Sequence, residues 1–478
     1  MNKSKLIESL GYLEVKEYKR FYDFISSPFF NKDSASVKLF ETVKPLIKTP
    51  DSKLLKKELI FDKMYPGKQY NDKVMRNIMG SLSKLTDRYF LHCSREENPG
   101  ETLMLTCHEL MQRGMYRNLD KKLIEFEEYF KNENYSFDYF FFNLNYHSIK
   151  QNMSLSYKSK LEELNYHKNI LNSLFVLFSI NYFPQLFNMV ANSKQYKRDY
   201  DLSKELLFAE KFAEHIENTD YENKDVILLY YNLFMSKHTN SDNFLNKLIE
   251  LFKNLKHRFS NIERFNIYVT IISYYTQKAQ EGDKKNYYNC FEWILTMIKD
   301  GSHYGYHGKK LMPGLFAKFV TVGCITENFE WVKEFISTYH KELDESVRDN
   351  YLNFYSALLY YHLKNYKLSI NHLSLVKYTN AEMKLEVRIL QSKIYYEMED
   401  REQLFSLMAS FKKFIKNDEL SSLSRKQIYG NFVTYLSKII DVKYNFKNDS
   451  ILKNLIDKKH TEVKEKEWLL EKIDQIIK

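Results

Sequence analysis

The sequence predicts an all-α protein in which helical hairpins stack in series behind a small N-terminal helical domain. Three observations lead to this prediction. Glycine and proline are scarce, at 12 and 7 of 478 residues, so the tight turns that join strands are few. Apolar residues recur at helical spacing along most of the chain. Polar links such as KNENYS and KHTNSD separate these amphipathic stretches, which is typical of helices joined by short connections.

The composition gives few direct indications of function. Hydrophobic residues make up 44% of the chain, which is typical of a folded protein and too many for a disordered one. The abundant Lys, Asn, Tyr, Phe and Ile residues have codons rich in A and T. An AT-rich genome therefore explains the 38 Tyr, the 35 Phe and the basic pI of about 8.9 without reference to function.

The positive charge is concentrated near the N-terminus. The net charge of the chain is +10, and residues 1–92 contribute +7 of it, from 18 Lys and Arg against 11 Asp and Glu. Such a region can attract phosphate groups or an acidic protein surface. A solvated surface that keeps the domain soluble explains the same charge.

The sequence predicts a reducing, cytoplasmic location. The four cysteines form neither a CxxC pair nor a disulfide framework, and His92-Cys93 and Cys107-His108 lack zinc-finger spacing. The N-terminus MNKSKLIESLGYLEV has no apolar core of a signal peptide. The most apolar run, LFVLF at Leu174–Phe178, is too short to span a bilayer. We expect no membrane association, no cofactor and no bound metal.

Residues 1–95 are predicted to form a compact basic domain of short helices. Five of the seven prolines lie in the first hundred residues, and each is expected at or near a helix end because proline lacks the amide donor. We expect helices at residues 15–26, from residue 36, at residues 53–65 and from residue 71 or 72. Asn71 or Asp72 can cap the last of these. The polar link CSREENPGE then marks the domain boundary.

The helix that starts near Asn71 is predicted to have an apolar face and a basic face. Its apolar stripe consists of Val74, Ile78, Leu82, Leu85 and Tyr89. The opposite face carries side chains that can contact phosphates and base edges of DNA, namely Lys73, Arg76, Asn77, Lys84 and Arg88. A helical cap that shows a solvated charged face explains the same pattern.

The segment before this helix, ELIFDKMYPG, resembles the entry to a helix-turn-helix or winged-helix unit. The link PGKQY is long for such a turn. No wing hairpin is evident, although ETLMLT at Glu101–Thr106 can form one strand.

Two late segments of the chain are similar to each other. YSALLYYHLKNYKLSINHLSLV at Tyr355–Val376 aligns with LQSKIYYEMEDREQLFSLMASF at Leu390–Phe411 at an offset of 35 residues. A small residue, Ala357 or Ser392, and a pair of tyrosines occupy matching positions, and the polar turn KNYK matches EDRE. A weaker copy lies upstream at TENFEWVKEFI. These segments resemble the tetratricopeptide repeat, a helix–turn–helix unit of about 34 residues.

The resemblance implies a superhelix whose concave groove holds a peptide or a helix of a partner protein. It is clearest at 311–420 within a predicted repeat domain at 311–445, whereas residues 101–310 share only the succession of amphipathic stretches. The candidate groove residues are Tyr360, Tyr361, Tyr395 and Tyr396; spacing alone leaves open which of them face the groove and which face the core. Residues 446–478 are predicted to form a capping helix with Trp468, Leu469, Ile473, Ile476 and Ile477 on its inner face.

The segment GSHYGYHGKKLMPG at Gly301–Gly314 is the only glycine cluster. Its glycines disfavour a helix that would bring His303 and His307 together on a metal, and no carboxylate or cysteine completes a ligand set. We interpret it as a mobile loop between helices in which these histidines, Tyr304 and Lys309 can grip a ligand.

The sequence contains none of the patterns GxGxxG, GxSxG and HExxH, so no catalytic residue is predicted. The first functional hypothesis is a non-enzymatic cytoplasmic scaffold that binds a protein partner in the groove of the repeats. The second is a regulator, comparable with some bacterial activators, in which residues 71–91 contact DNA and the solenoid acts as sensor. An enzyme, the third, requires a closed pocket with paired carboxylates or histidines. The oligomeric state stays open.

Overall fold

The computed structural model describes the chain except residues 2–3, 50, 158–159, 197–199, 307, 309, 378–380, 418–422, 446–462 and 478. Within the described residues the regular structure is helical and no strand occurs, so the predicted all-α class is confirmed. The chain divides into two compact units, residues 1–178 with 220–224 and residues 179–219 with 225–478. The domain borders predicted near residues 95, 310 and 445 stay predictions.

Short helices precede longer ones in the first part of the chain. They are α1 (Lys5–Gly11), α2 (Tyr18–Ser26), α3 (Ser34–Val43), α4 (Lys57–Met64), α5 (Asp72–Glu97), α6 (Pro99–Gln112), α7 (Tyr116–Lys131) and α8 (Phe137–Tyr157), and α9 (Lys160–Tyr196) follows.

Residues 6–89 share one hydrophobic core in which aromatic rings meet edge to face. The ring of Phe21 lies 4.8 Å from that of Phe40 and 5.1 Å from that of Tyr89. α5 buries Met75, Ile78, Leu82, Leu85, Thr86 and Tyr89 in this core. Val74, predicted to begin the stripe, is 42% exposed. Two successive steps of four residues rotate the side chain by about 80°, which turns Val74 away from the core.

Side chains cap the starts of several helices. Asn71 caps α5 as predicted, since its Oδ1 accepts a hydrogen bond from the amide of Val74 at 3.1 Å. Asp33 caps α3 in the same way, so that helix begins at Ser34 rather than at residue 36. α4 is shorter than the predicted helix at residues 53–65.

The predicted link CSREENPGE is mostly helical. α5 continues to Glu97 and α6 starts at Pro99, a position that needs no amide donor, so Asn98 alone separates the two helices. The side chain of Asn98 caps α6 by accepting from the amide of Glu101 at 3.0 Å. The strand considered at Glu101–Thr106 is wrong, because these residues lie inside α6.

The later helices come next along the chain. They are α10 (Ser203–Glu217), α11 (Lys224–Thr239), α12 (Asp242–Leu255), α13 (Asn261–Gln280), α14 (Asn286–Lys299), α15 (Pro313–Ile325), α16 (Phe329–Tyr339), α17 (Glu345–His362), α18 (Tyr366–Ser374), α19 (Ala381–Glu397), α20 (Arg401–Asn417), α21 (Leu423–Asn445) and α22 (Lys466–Ile477). From α13 onward most helices pack against the next one along the chain, and α15 also packs against α17.

Within α9, residues Asn165–Asn192 are long and apolar enough to cross a membrane by length and composition, with a mean hydropathy of 1.4. The run Leu174–Phe178 is therefore part of a longer apolar segment. The core helix of a soluble protein can have the same composition, but such a helix is mostly buried, whereas 28% of this segment is buried.

Several tyrosines donate hydrogen bonds to carboxylates of other helices or helix ends. In the first unit, the hydroxyl of Tyr146 donates to Glu127 at 2.5 Å. In the second unit, Tyr268 donates to Asp300 at 2.7 Å and Tyr274 donates to Asp242 at 2.6 Å. Burial and the acceptor carboxylate together raise the pKa of Tyr268, so it stays a donor at neutral pH.

The same turn ends α15, α17 and α19. Glu327, Lys364 and Glu399 have positive φ angles of 59°, 59° and 58°, and they lie 37 and 35 residues apart. The amide after each of them donates to a carbonyl five residues back, at 2.9, 2.9 and 3.0 Å, which is the helix-ending bond of a Schellman turn. Asn365 and Asp400 then cap the next helix with their side chains. One turn design therefore recurs at the spacing of the sequence similarity.

The left-handed residues of these turns predict a stabilising substitution. Lys364→Gly is expected to raise the free energy of unfolding by about 0.5–1 kcal/mol, because glycine adopts positive φ without strain. The matched control Lys367→Gly, inside α18, should lower it by a similar amount. Urea unfolding followed by tryptophan fluorescence measures both, because Trp293, Trp331 and Trp468 all lie in the second unit. Equal losses in the two variants would contradict the assignment of strain to Lys364.

Candidate partner-binding groove

A groove of about 460 Å³ runs along α15, α17 and α19 in the second unit. α15 contributes Gly314, Ala317 and Thr321, whose spacing of three and four residues puts three small side chains on one face of the helix. α17 contributes a bulkier and mainly apolar wall made of Tyr351, Phe354, Tyr355 and Leu358. The volume lies in the range of pockets that hold small ligands.

One end of the groove is charged. Lys393 of α19 is 7% exposed, and its Nζ lies 2.7 Å from a carboxylate oxygen of Glu465. The same ammonium group lies 4.7 Å from the ring centroid of Tyr361. Glu386, two turns earlier on α19, pairs with Lys464 at 2.6 Å and also accepts from the hydroxyl of Tyr429. Residues before the start of α22 therefore form part of the groove wall.

α22 itself packs beside the groove. Its Trp468 ring meets that of Tyr396 edge to face at 5.4 Å, and the indole N–H donates to Glu397 at 3.0 Å. Lys472, 4% exposed, pairs with the same carboxylate at 2.8 Å. Trp468, Leu469 and Ile473 are buried and Ile476 is partly buried, as the sequence predicts for the inner face. The side chain of Ile477 lies outside the described residues.

The ion pairs keep this end of the groove charged at neutral pH. Burial alone would raise the pKa of Glu465, but the ammonium groups of Lys393 and Lys464 lower it below its usual value. Burial lowers the pKa of the neighbouring His362 to about 4, and Lys393 contributes to this shift. A carboxyl with a lowered pKa stabilises the fold above its usual pKa. That contribution is lost as pH falls through the lowered value.

Similarity to known proteins does not indicate what this groove binds. Comparisons of the chain with family models, with curated proteins and with solved structures found no match. Its function is therefore inferred from its own geometry.

None of the four predicted tyrosines lines this groove. Tyr361 and Tyr396 are buried, at 9% and 4% exposure. The ring of Tyr361 contacts Lys393, and the ring of Tyr396 contacts Trp468. Tyr360 stacks on His372 with 5.3 Å between ring centroids. Tyr395 is half-buried against the core around α22.

The charged groove residues were missed from the sequence, although a signal exists. At the offset of 35 residues, Leu358 of the first copy aligns with Lys393 of the second, and both line the groove. A lysine at an apolar position of a repeat indicates a buried partner of opposite charge. That partner, Glu465, lies 72 residues further along the chain, beyond the reach of helical periodicity.

The predicted basic face on α5 is partly engaged by the protein. Lys73, Asn77 and Lys84 are exposed. Arg76 pairs with Asp72 at 2.9 Å, and Arg88 donates to the carbonyl of Phe30 at 2.9 Å.

The centre of this face is open to a ligand. A Cβ atom at Gly80 would have no neighbour within 4 Å. A polymer backbone can therefore approach the helix closely at this point.

The predicted loop at Gly301–Gly314 is packed at its start and exposed further on, where Tyr306 is 61% exposed. His303 is 3% exposed, with its ring 4.0 Å from that of Tyr304, and burial lowers its pKa. The hydroxyl of Tyr304 donates to Glu342 at 3.0 Å. His307 and Lys309 lie outside the described residues. Among the described residues, no group of three or more His, Cys, Asp or Glu is placed to hold a metal ion.

Two of the lysines that pair with glutamates in this region, Lys393 and Lys443, should differ in their contribution to stability. Lys393→Met is expected to lower the free energy of unfolding by about 2 kcal/mol or more, because it leaves Glu465 without its buried partner. Lys443→Met removes a pair whose glutamate, Glu399, is 69% exposed, and should cost about 0–1 kcal/mol.

Urea unfolding followed by tryptophan fluorescence compares these two variants. Similar losses would show that burial does not distinguish the pairs.

Proposed function

We propose that this chain is a non-enzymatic cytoplasmic scaffold that holds a peptide or a helix of a protein partner in the groove of α15, α17 and α19. One observation carries the proposal: in the wall of this groove, Lys464 and Glu465, which lead into an amphipathic helix of the same chain, pair with Glu386 and Lys393. Paired charges and aromatic side chains around an apolar surface are what a peptide-binding groove needs. The four cysteines are free thiols, which agrees with a reducing location.

The tetratricopeptide-like arrangement is part of this proposal. Its support is the recurring left-handed turn and the close crossing of α17 and α18. There the hydroxyl of Ser369, fully buried, donates to the carbonyl of Ala357 at 2.7 Å. Small residues at such crossings let the two helices of a hairpin approach each other. Stacked hairpins of this kind place their first helices side by side, which accounts for a groove lined by α15, α17 and α19.

The lining favours binding over catalysis. The two carboxylates that line the groove, those of Glu386 and Glu465, are each held by a lysine. A general acid or base needs a group that is free to exchange a proton with a substrate. The apolar wall on α17 instead suits side chains of a partner segment, and the charged end suits a partner that carries charges of both signs.

A substitution that fills the groove tests this function. Ala317→Arg puts a long side chain into the space beside α17, and it is expected to weaken partner binding at least about tenfold. The matched control Thr338→Arg adds the same side chain on an exposed position of α16 and should change nothing. The tagged chain and both variants are used to capture partners from cells that express it, after circular dichroism confirms equal helicity. A set of captured proteins that is identical for all three would contradict the proposal.

DNA binding through α5 is the alternative function. The exposed Lys73, Asn77 and Lys84, with open space at Gly80 between them, support it. Exposed lysines meet phosphates and an open helix surface admits the backbone of a duplex. Arg76 and Arg88 support it less, since both already contact protein groups.

Under this alternative, Lys84→Glu is expected to abolish retention on duplex DNA that falls as salt rises, because it reverses an exposed charge on the basic face of α5. The control Lys413→Glu, exposed on α20, should leave the retention unchanged. A DNA column eluted with a salt gradient measures both. Equal elution of Lys84→Glu and the wild-type chain would leave only the scaffold.

A further inference from the structure

The segment that starts at Val463 and includes α22 packs against other helices of the second unit. Its apolar side chains Trp468, Leu469 and Ile473 are buried. Its charged side chains pair with two carboxylates and one amine of α19, and these three groups lie on one side of that helix. Glu386, Lys393 and Glu397 are seven and four residues apart, so they form one row, because an α-helix has 3.6 residues per turn. We call these three residues the charge row.

The segment matches the charge row in alternating order. Lys464 pairs with Glu386, Glu465 pairs with Lys393, and Lys472 pairs with Glu397, at 2.6, 2.7 and 2.8 Å. Lys393 and Lys472 are 7% and 4% exposed. Charges taken so far out of water require partners of opposite sign, and a mismatch is costly. The charge row therefore favours a segment that carries charges of opposite sign at the matching positions.

The docked segment also adjoins the partner-binding groove. Lys464 and Glu465 form part of the groove wall. Isolated helices as short as α22 are marginal in water, and most of its order comes from docking. An element of this kind can exchange with a competitor that carries the same contacts.

We propose that the charge row is a docking site for a partner segment with the pattern Lys-Glu-x-x-Trp-Leu-x-x-Lys-Ile, and that Val463–Ile477 is its built-in competitor. The inference rests on the proposed scaffold function and specifies the chemistry and the regulation of its partner. The first two residues of the pattern form a turn, as Lys464 and Glu465 do, and the rest forms an amphipathic helix. The partner places the acidic residue of its turn against Lys393 and the tryptophan of its helix against Tyr396. Its binding displaces α22 from the charge row and from Tyr396. We call this surface of α19 the seat.

The test uses the full-length chain and a fluorescent peptide, VKEKEWLLEKIDQII, with binding measured by anisotropy. The wild-type chain should bind the peptide weakly, since its own segment occupies the seat. Glu465→Lys in the chain sets a lysine against Lys393 and releases that segment while the seat stays intact. We expect the peptide to bind this variant at least about tenfold more tightly. The control Lys412→Glu, exposed on α20, should leave the affinity unchanged.

A charge swap identifies the contact. The Lys393→Glu chain should no longer bind the wild-type peptide, and it should bind a peptide with the change Glu465→Lys. If that chain does not fold, the peptide series alone decides, because Glu465→Gln and Glu465→Lys peptides should each bind the Glu465→Lys chain at least about tenfold less tightly than the wild-type peptide.

Two results would overturn the inference. One is peptide affinity that does not depend on the charge at position 465. The other is a dimer, seen by light scattering, that forms by exchange of α22 between copies and disappears when the peptide is added, since the occupant is then a second copy of the chain. Neither result removes the scaffold function, which fails only if Ala317→Arg captures the same proteins as the wild-type chain.

Discussion

A helical core this rich in tyrosine depends on finding acceptors for buried hydroxyl groups. A buried hydroxyl without a partner destabilises the fold by roughly 1–3 kcal/mol, and carboxylates near or on neighbouring helices supply several of the partners here. Tyr268 with Asp300 and Tyr274 with Asp242 are two such pairs. Each pair fixes one helix against another at a defined height. The groove depends on the same device, because Tyr429 donates to the carboxylate of Glu386 that also holds Lys464.

Buried ion pairs near α22 add selectivity more than stability. The loss of hydration of a buried lysine offsets much of the attraction to its partner, so an apolar pair of similar volume can stabilise a fold equally well. An ion pair, however, rejects a like charge strongly. Lys393 lies between the rings of Tyr361 and Trp468, at 4.7 and 5.7 Å from their centroids, and these rings favour a cation there. The position is therefore built for a positive charge with one acidic neighbour.

Local physics makes much of this fold predictable from the sequence. The helical class follows from the scarcity of glycine and proline, and the cap at Asn71 follows from its side chain. The predictions from sequence are wrong where packing or a neighbouring residue, rather than the local pattern, determines the structure. Val74 fits a stripe with steps of four, yet the accumulated rotation turns it into solvent. Glu101–Thr106 has an apolar pattern short enough for a strand, but Asn98 and Pro99 start a helix just before it.

The groove was harder to predict because it consists of contacts between distant residues. The tyrosine pairs of the repeats stand out in the sequence, yet Tyr361 and Tyr396 serve as support and leave the groove wall to residues with less obvious patterns, such as Ala317 and Leu358. The resemblance to a repeat gives the positions of the helices. It does not give the segment that closes the groove, since Glu465 reaches Lys393 across 72 residues.

The turn before α22 has a consequence for the contacts along α19. Glu386 and Lys393 are about 10.5 Å apart along the helix axis, yet they pair with the adjacent residues Lys464 and Glu465. These two residues precede α22 and form a turn in which Glu465 has a positive φ angle of 56°. Their side chains diverge from that turn and reach charges two helical turns apart. One left-handed turn thus spans two turns of a neighbouring helix.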